Sequence, residues 1–116
     1  MTMTDPLSDA AARKGSADLL ILACLESAEL HGYDLSRQIA DRSEGLLTFR
    51  AASLYPLLYK LEDAGWVEGR WRQPKGQRRR RCYRITPAGR RVLARQRTRW
   101  SSFVRALSRA AGLTGA

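Results

Sequence analysis

Seven Arg or Lys side chains crowd into residues 72–84, and no acid interrupts them: Arg72, Lys75, Arg78, Arg79, Arg80, Arg81 and Arg84. Such a cluster can neutralise a polyanion, because guanidinium and ammonium groups pair with phosphate oxygens and displace their counterions. Trp71, Tyr83 and Ile85 stand among the charges, as expected of a folded basic surface rather than a solubilising tail. The partition along the chain points the same way. Residues 1–68 carry six basic and eleven acidic groups, whereas residues 69–116 carry fifteen basic groups and no acid. A half of one sign predicts a polyanionic partner.

Other chemistries lack their parts. His31 is the only histidine, which excludes His-pair metal sites and most catalytic triads. Cys24 and Cys82 lack metal-ligand spacing, and no Gly-rich phosphate loop occurs. Glu62 and Asp63 are adjacent acids, but neighbours on a helix point about 100° apart, so they read as a solvated face. No catalytic residue, cofactor or metal site is expected. Residues 17–25 loosely mimic the apolar part of an export signal, yet Asp18 interrupts them and no cleavage-like site follows. A reduced, cytoplasmic protein with two structural thiols is expected; one disulfide is the alternative.

The elements that must position the basic cluster can be read from periodicity. Residues 1–15 are small and polar and predict a disordered segment. Ser16 can cap a first helix whose Leu19, Leu20, Ile21, Leu22, Cys24 and Leu25 cover most of its circumference, so neighbours must enclose it. His31-Gly32 reads as a turn, and a second helix follows over Tyr33–Arg42, burying Leu35 and Ile39. Leu46–Phe49 can be extended. A third helix begins near Ser53 as N-cap, placing Pro56 in its first turn, and ends at Gly65. Its Leu54, Leu57, Leu58, Leu61 and Ala64 form an apolar stripe.

Val67, Gly69 and Trp71 then alternate with charged residues at strand spacing. Gln73–Gly76 fits a type I turn with Pro74 second and Gly76 fourth, and a return strand carries Tyr83 and Ile85. Thr86-Pro87 is an N-cap and N1 pair opening a last helix to about Ala111. Along that helix Leu93, Gln96, Trp100, Phe103, Leu107 and Ala110 alternate in steps of three and four, an a/d seam. Nothing C-terminal is left to cover it, so a second copy is the expected partner, with folding back onto the first helix as the alternative. The fold class is mainly α with a small β-hairpin. Residues 16–86 make a helix-rich module with a basic hairpin, and residues 87–116 a C-terminal dimerisation helix. A helix beside a cationic hairpin suits double-stranded DNA, the helix entering the major groove and the hairpin tip reaching the backbone or minor groove.

The segments LLILACLESAELHGYDLSRQI, SLYPLLYKLEDAGWVEGRW, RRRRCYRITPAGRRVL and RTRW resemble the PadR family of bacterial transcriptional regulators, over about residues 16–107. The SLYP-x3-KLE-x-x-GW and YRIT-x-x-G blocks are the specific part. The single C-terminal helix is similar to the smaller subgroup of that family. The resemblance implies a homodimeric winged helix-turn-helix repressor, nucleoid-associated in a bacterial cytoplasm. Some relatives take small aromatic effectors near the dimer interface, which makes Trp100 the candidate ligand residue.

Carried over by position, Ser53, Tyr55, Pro56, Tyr59 and Lys60 match the recognition-helix block, and Tyr33 matches the aromatic opening the helix before it. Arg50, Arg72, Lys75, Arg78, Arg79 and Arg80 complete the expected DNA contacts. Leu93, Gln96, Trp100, Phe103 and Leu107 are the expected dimer interface. Tyr55 or Tyr59 packing against the second helix is the competing expectation. A non-specific basic nucleic-acid binder and a ligand-sensing interaction module are the alternatives to a sequence-specific regulator.

Overall fold

The computed structural model describes residues 10–113. The element order is α1 (Ala10–Leu25), β1 (Leu30–His31), α2 (Gly32–Arg42), α3 (Ala51–Asp63), β2 (Val67–Arg72), β3 (Arg80–Ile85) and α4 (Pro87–Ala111). The three strands form one antiparallel sheet in the order β1-β3-β2. The fold is therefore α+β, as the periodicity predicts, with one strand more than expected.

The helix α1 lies at the centre and packs against α2, α3, β3 and α4. Its Ile21, Leu22 and Leu25 are buried with Leu35 and Ile39 of α2, Leu54, Leu58 and Leu61 of α3, Val67 of β2, Tyr83 of β3 and Leu93 of α4. Burying each such side chain contributes about 1.5–3 kcal/mol, so this one cluster supplies most of the driving force for folding. On α3 the stripe is narrower than expected: Leu57 is half-buried and Ala64 exposed.

Several boundaries differ from the sequence reading. Residues 10–15, expected to be disordered, are the opening turns of α1, so Ser16 lies inside the helix and does not cap it. Ala10, Ala11 and Ala12 explain this, since alanine is the strongest helix former. The remainder of the expected disordered segment, residues 1–9, lies outside the described residues. His31 is not part of a turn. It ends β1, pairing with Cys82, and caps α2 through Nδ1, which accepts the Asp34 N–H at 3.2 Å. Residues 46–49 form no strand. The Ser43 hydroxyl donates to the Ile39 carbonyl (2.8 Å) and accepts the Leu47 N–H (2.9 Å), which folds this loop onto the end of α2.

The start of α3 is also earlier, at Ala51, with Arg50 as an extended N-cap that makes no side-chain cap bond. Pro56 consequently falls in the second turn, where its missing N–H leaves the Ala52 carbonyl without the usual i→i−4 donor. At the other end Gly65 adopts φ 80° and the Trp66 N–H bonds the Leu61 carbonyl (3.0 Å), a left-handed cap as expected.

Thr86 joins this cap to the last helix. Its hydroxyl donates to the Gly65 carbonyl (2.6 Å) and accepts the Gly89 N–H (3.0 Å). Gly89 sits so close to the Trp66 carbonyl that an added Cβ would collide with it. Gly89→Ala should therefore push α4 off the hairpin base and lower stability by about 1–3 kcal/mol. Denaturant unfolding measures this; an unchanged midpoint would mean the helix start moves freely.

Candidate nucleic-acid interface

Strand alternation gives the hairpin two faces with different chemistry. On one face Val67, Gly69 and Trp71 of β2 pair with Ile85, Tyr83 and Arg81 of β3. On the other face Glu68, Arg70 and Arg72 pair with Arg84, Cys82 and Arg80. The first face looks toward α3. Glu62, in the last turn of α3, accepts from the Gly69 N–H (3.2 Å) and from Arg81 Nη2 (2.7 Å). Glu62 is thus a clamp between α3 and the hairpin, not the solvated acid that its sequence position suggests.

The turn at the hairpin tip is also shifted by one residue from expectation. The Gln77 N–H bonds the Pro74 carbonyl (2.9 Å), so Pro74 comes first and Gly76 third, at φ 77°. The third position of such a turn needs the left-handed conformation that glycine adopts without steric cost.

The basic residues divide into held and free groups. Arg72 pairs with Glu29 (3.2 Å) and Arg84 with Glu68 (2.8 Å). Arg80 touches the Nε2 of His31 with one nitrogen and Gln77 with the other, and is half-buried. Among the described residues, Lys75, Arg78 and Arg79 have no ion pair, and all three are exposed at the tip. Arg79 lies over the Trp71 ring at 4.5 Å from its centroid. The expected contact set therefore separates. Lys75, Arg78 and Arg79 are ready for an anion, whereas Arg72 must exchange an acid and Arg80 must leave His31 and Gln77. Exposed ion pairs are worth roughly 0–1 kcal/mol, so the exchange at Arg72 is cheap.

The exposed face of α3 carries Ser53, Pro56, Tyr59 and Lys60, with Arg50 exposed just ahead of the helix. Tyr59 keeps 51% of its surface free. Tyr55 is different: it is half-buried, and its ring presses on Gly32 at the start of α2, 2.8 Å from where a Cβ would stand. The packing expectation thus holds for Tyr55, whereas Tyr59 stays exposed. Tyr33 is exposed in the first turn of α2, with Arg37 over its ring at 5.9 Å. Lys60 also stands near Asp18 of α1. Burial pushes the Asp18 carboxyl up from its ordinary range, and the nearby Lys60 charge opposes this.

Along α4 the seam divides at Gln96. Leu93 is 1% exposed and belongs to the hydrophobic core, so it has little surface left for a partner. Gln96 and Trp100 are half-buried. Phe103, Val104 and Leu107 are about half exposed, at 57%, 51% and 47%. The Trp100 and Phe103 rings meet edge-on at 5.9 Å. Both cysteines are free and buried, and burial raises each thiol above its usual range. No helix among the described residues is long and apolar enough to cross a membrane.

The family model described as "Transcriptional regulator PadR-like family" matches residues 21–95, which span α1 from Ile21 through the hairpin to the first turns of α4. The chain belongs to this family. Its members are transcriptional regulators and not enzymes, in line with the expectation from the missing catalytic groups. Solved structures agree. A transcriptional regulator from Clostridium thermocellum superposes with a TM-score of 0.77 at 24% identity, over 86% of this chain and 97% of that one. A PadR family regulator from Eggerthella lenta gives 0.74 at 27% identity, over 90% and 88%. Bacillus subtilis PadR in complex with operator DNA gives 0.61 at 26% identity, over 67% of this chain and 44% of that one. This PadR-like chain is a winged helix-turn-helix, with α2 and α3 as the helix pair, β2 and β3 as the wing, and α4 appended. Trp71, Arg81 and Glu62 are the residues of this surface that sequence reasoning missed. Strand parity, which puts Trp71 and Arg81 on one face with Gly69, was the available signal.

Proposed function

We propose that this chain is a homodimeric repressor that binds an inverted-repeat operator, with α3 in the major groove and the wing tip on the flanking backbone or minor groove. One observation carries the reading: the exposed, aromatic and polar side of α3 and the acid-free, unpaired cations of the wing tip stand on two elements that Glu62 joins, through the Gly69 N–H and Arg81 of the wing strands. A major groove admits a helix, and the phosphates beside it are within reach of a hairpin. The operator-bound Bacillus subtilis relative supports the same use of the fold. Two recognition helices related by a two-fold axis would read half-sites about 34–36 Å apart.

Selecting binding duplexes from a random library, then footprinting the winner at stated salt, tests this. A winner with inverted half-sites supports the reading. Equal affinity for unrelated duplexes would leave only a non-specific basic binder. Within the selected operator, Tyr59→Ala or Lys60→Ala should narrow the preference over random DNA by about 1–3 kcal/mol where a base contact is lost. An equal loss on both DNAs would reassign the residue to phosphate.

The dimer reading rests on α4, whose Phe103, Val104 and Leu107 leave an apolar stripe that a two-fold copy would cover. The effector reading rests on Trp100. A groove of about 480 Å³ is lined by Trp100, Ser101, Val104, Arg105, Ser108 and Leu113. A flat aromatic ligand there would stack on the indole and favour one spacing of the recognition helices. Planar aromatic compounds should then quench Trp fluorescence in the wild type but not in Trp100→Phe. Identical quenching in both would assign the signal to Trp66 or Trp71 and remove the site.

A further inference from the structure

We propose that Trp71 is the positioning residue for Arg79, and that a chain of contacts through Arg81 and Glu62 fixes both to the recognition helix α3. The proposal rests on the DNA-binding reading above and names the residues that set the geometry of the wing.

Trp71 keeps 54% of its surface exposed, although it lies on the wing face turned toward α3. Its ring is not there to fill the core. Two guanidiniums lie against it, Arg79 at 4.5 Å and Arg81 at 5.6 Å from the ring centroid. Both distances are within the reach of cation–π attraction, about 6 Å. Arg81 is anchored at its far end, since Nη2 donates to Glu62 at 2.7 Å, and Glu62 also takes the Gly69 N–H. Arg81 lies across the wing in the space that glycine leaves open at residue 69. A Cβ there would stand 2.7 Å from Arg81 Nε and 2.8 Å from Nη2.

The physical consequence concerns order rather than charge. A free arginine on a hairpin tip loses much of its rotamer freedom when it is fixed on a ligand. Stacked on an indole, Arg79 has lost part of that freedom before DNA arrives. Arg79 then meets the DNA at a set distance from α3, while Lys75 and Arg78 at the same tip have no such support. Wing position and helix position become one geometric unit, so half-site contacts by the two must keep a fixed offset.

The test compares Trp71→Ala, Trp71→Phe, Gly69→Ala and Arg79→Ala in the full-length protein. Side-chain 15Nε relaxation of Arg79 is read in the free protein, and binding to the selected duplex is read across a salt series. Trp71→Ala should free Arg79 in relaxation and weaken operator binding about fivefold, at an unchanged slope of log K against log salt, because the charge is still present. Trp71→Phe should restore both readouts. Gly69→Ala should displace Arg81 and free Arg79 to a smaller degree. Arg79→Ala should lower affinity and also flatten the slope by about one per wing.

Equal Arg79 order in wild type and Trp71→Ala would overturn the proposal, as would a slope that falls with Trp71→Ala. The relaxation arm does not use DNA. A protein that selects no duplex would therefore sink the function, while the relaxation result still decides whether Trp71 holds Arg79.

Discussion

Leu107→Asp should convert the proposed dimer into folded monomers and weaken operator binding by about 10²–10³-fold. Leu107 is 47% exposed and lies well beyond the last buried residue of α4, Leu93, so its loss hardly touches the core of one subunit. The thermal stability of the monomer should stay close to what the core alone provides. In the seam, however, the new carboxylate would face its mate across the two-fold axis in an apolar setting, where an unpaired charge is costly. Affinity falls because one binding event becomes two, and linked modules commonly gain 10²–10⁴ over separate ones. Sedimentation at micromolar protein, beside binding to a full operator and to a half-site, reads the two effects apart. Half-site binding should survive. A wild type that sediments as a monomer would remove the dimer. The same substitution at Phe103 should act alike, with a larger loss of apolar surface.

Arg78→Ala with Arg79→Ala should weaken binding to all DNA sequences nearly alike, on the order of a hundredfold at low salt. These are two of the three wing-tip cations with no ion pair among the described residues, and a dimer brings them twice. Neutralising on the order of 6–10 phosphates per dimer gives a steep dependence of log K on log salt, and removing these four contacts should flatten the slope by about 3–4. The ratio of operator to random affinity should hardly change, since phosphate contacts position the protein and base contacts specify the sequence. A slope that stays as steep as in the wild type would place these arginines away from the DNA. Arg72→Ala provides the contrast. Its guanidinium already serves Glu29, so a smaller change is expected there.

The periodic parts of this molecule were legible without coordinates. Leucines at spacings of three and four mark α3, alternation of Val67, Gly69 and Trp71 marks β2, and Thr86-Pro87 marks the first residue of α4. These signals are local, because burial repeats with the period of the element itself. The basic charge of the wing was legible for the same reason, and so was the family, through the SLYP and YRIT blocks.

What the residues alone could not determine was which charges remain free. Arg72, Arg78, Arg79, Arg80 and Arg81 look equivalent in a row. Glu29, His31, Gln77 and Glu62, up to 49 residues away, claim Arg72, Arg80 and Arg81, and leave Arg78 at the tip with Arg79 stacked on Trp71. Tyr55 and Tyr59 likewise share one helix and one residue type; the approach of Gly32 from α2 takes Tyr55 into packing. The two-residue strand β1 is too short to show a period, and it exists only because β3 offers it a hydrogen-bonding edge at Tyr83 and Cys82. The helices, the two wing strands and the total charge follow from neighbours in sequence. Which arginine meets phosphate follows from neighbours in space, because a charge is spent on the nearest partner that the fold supplies.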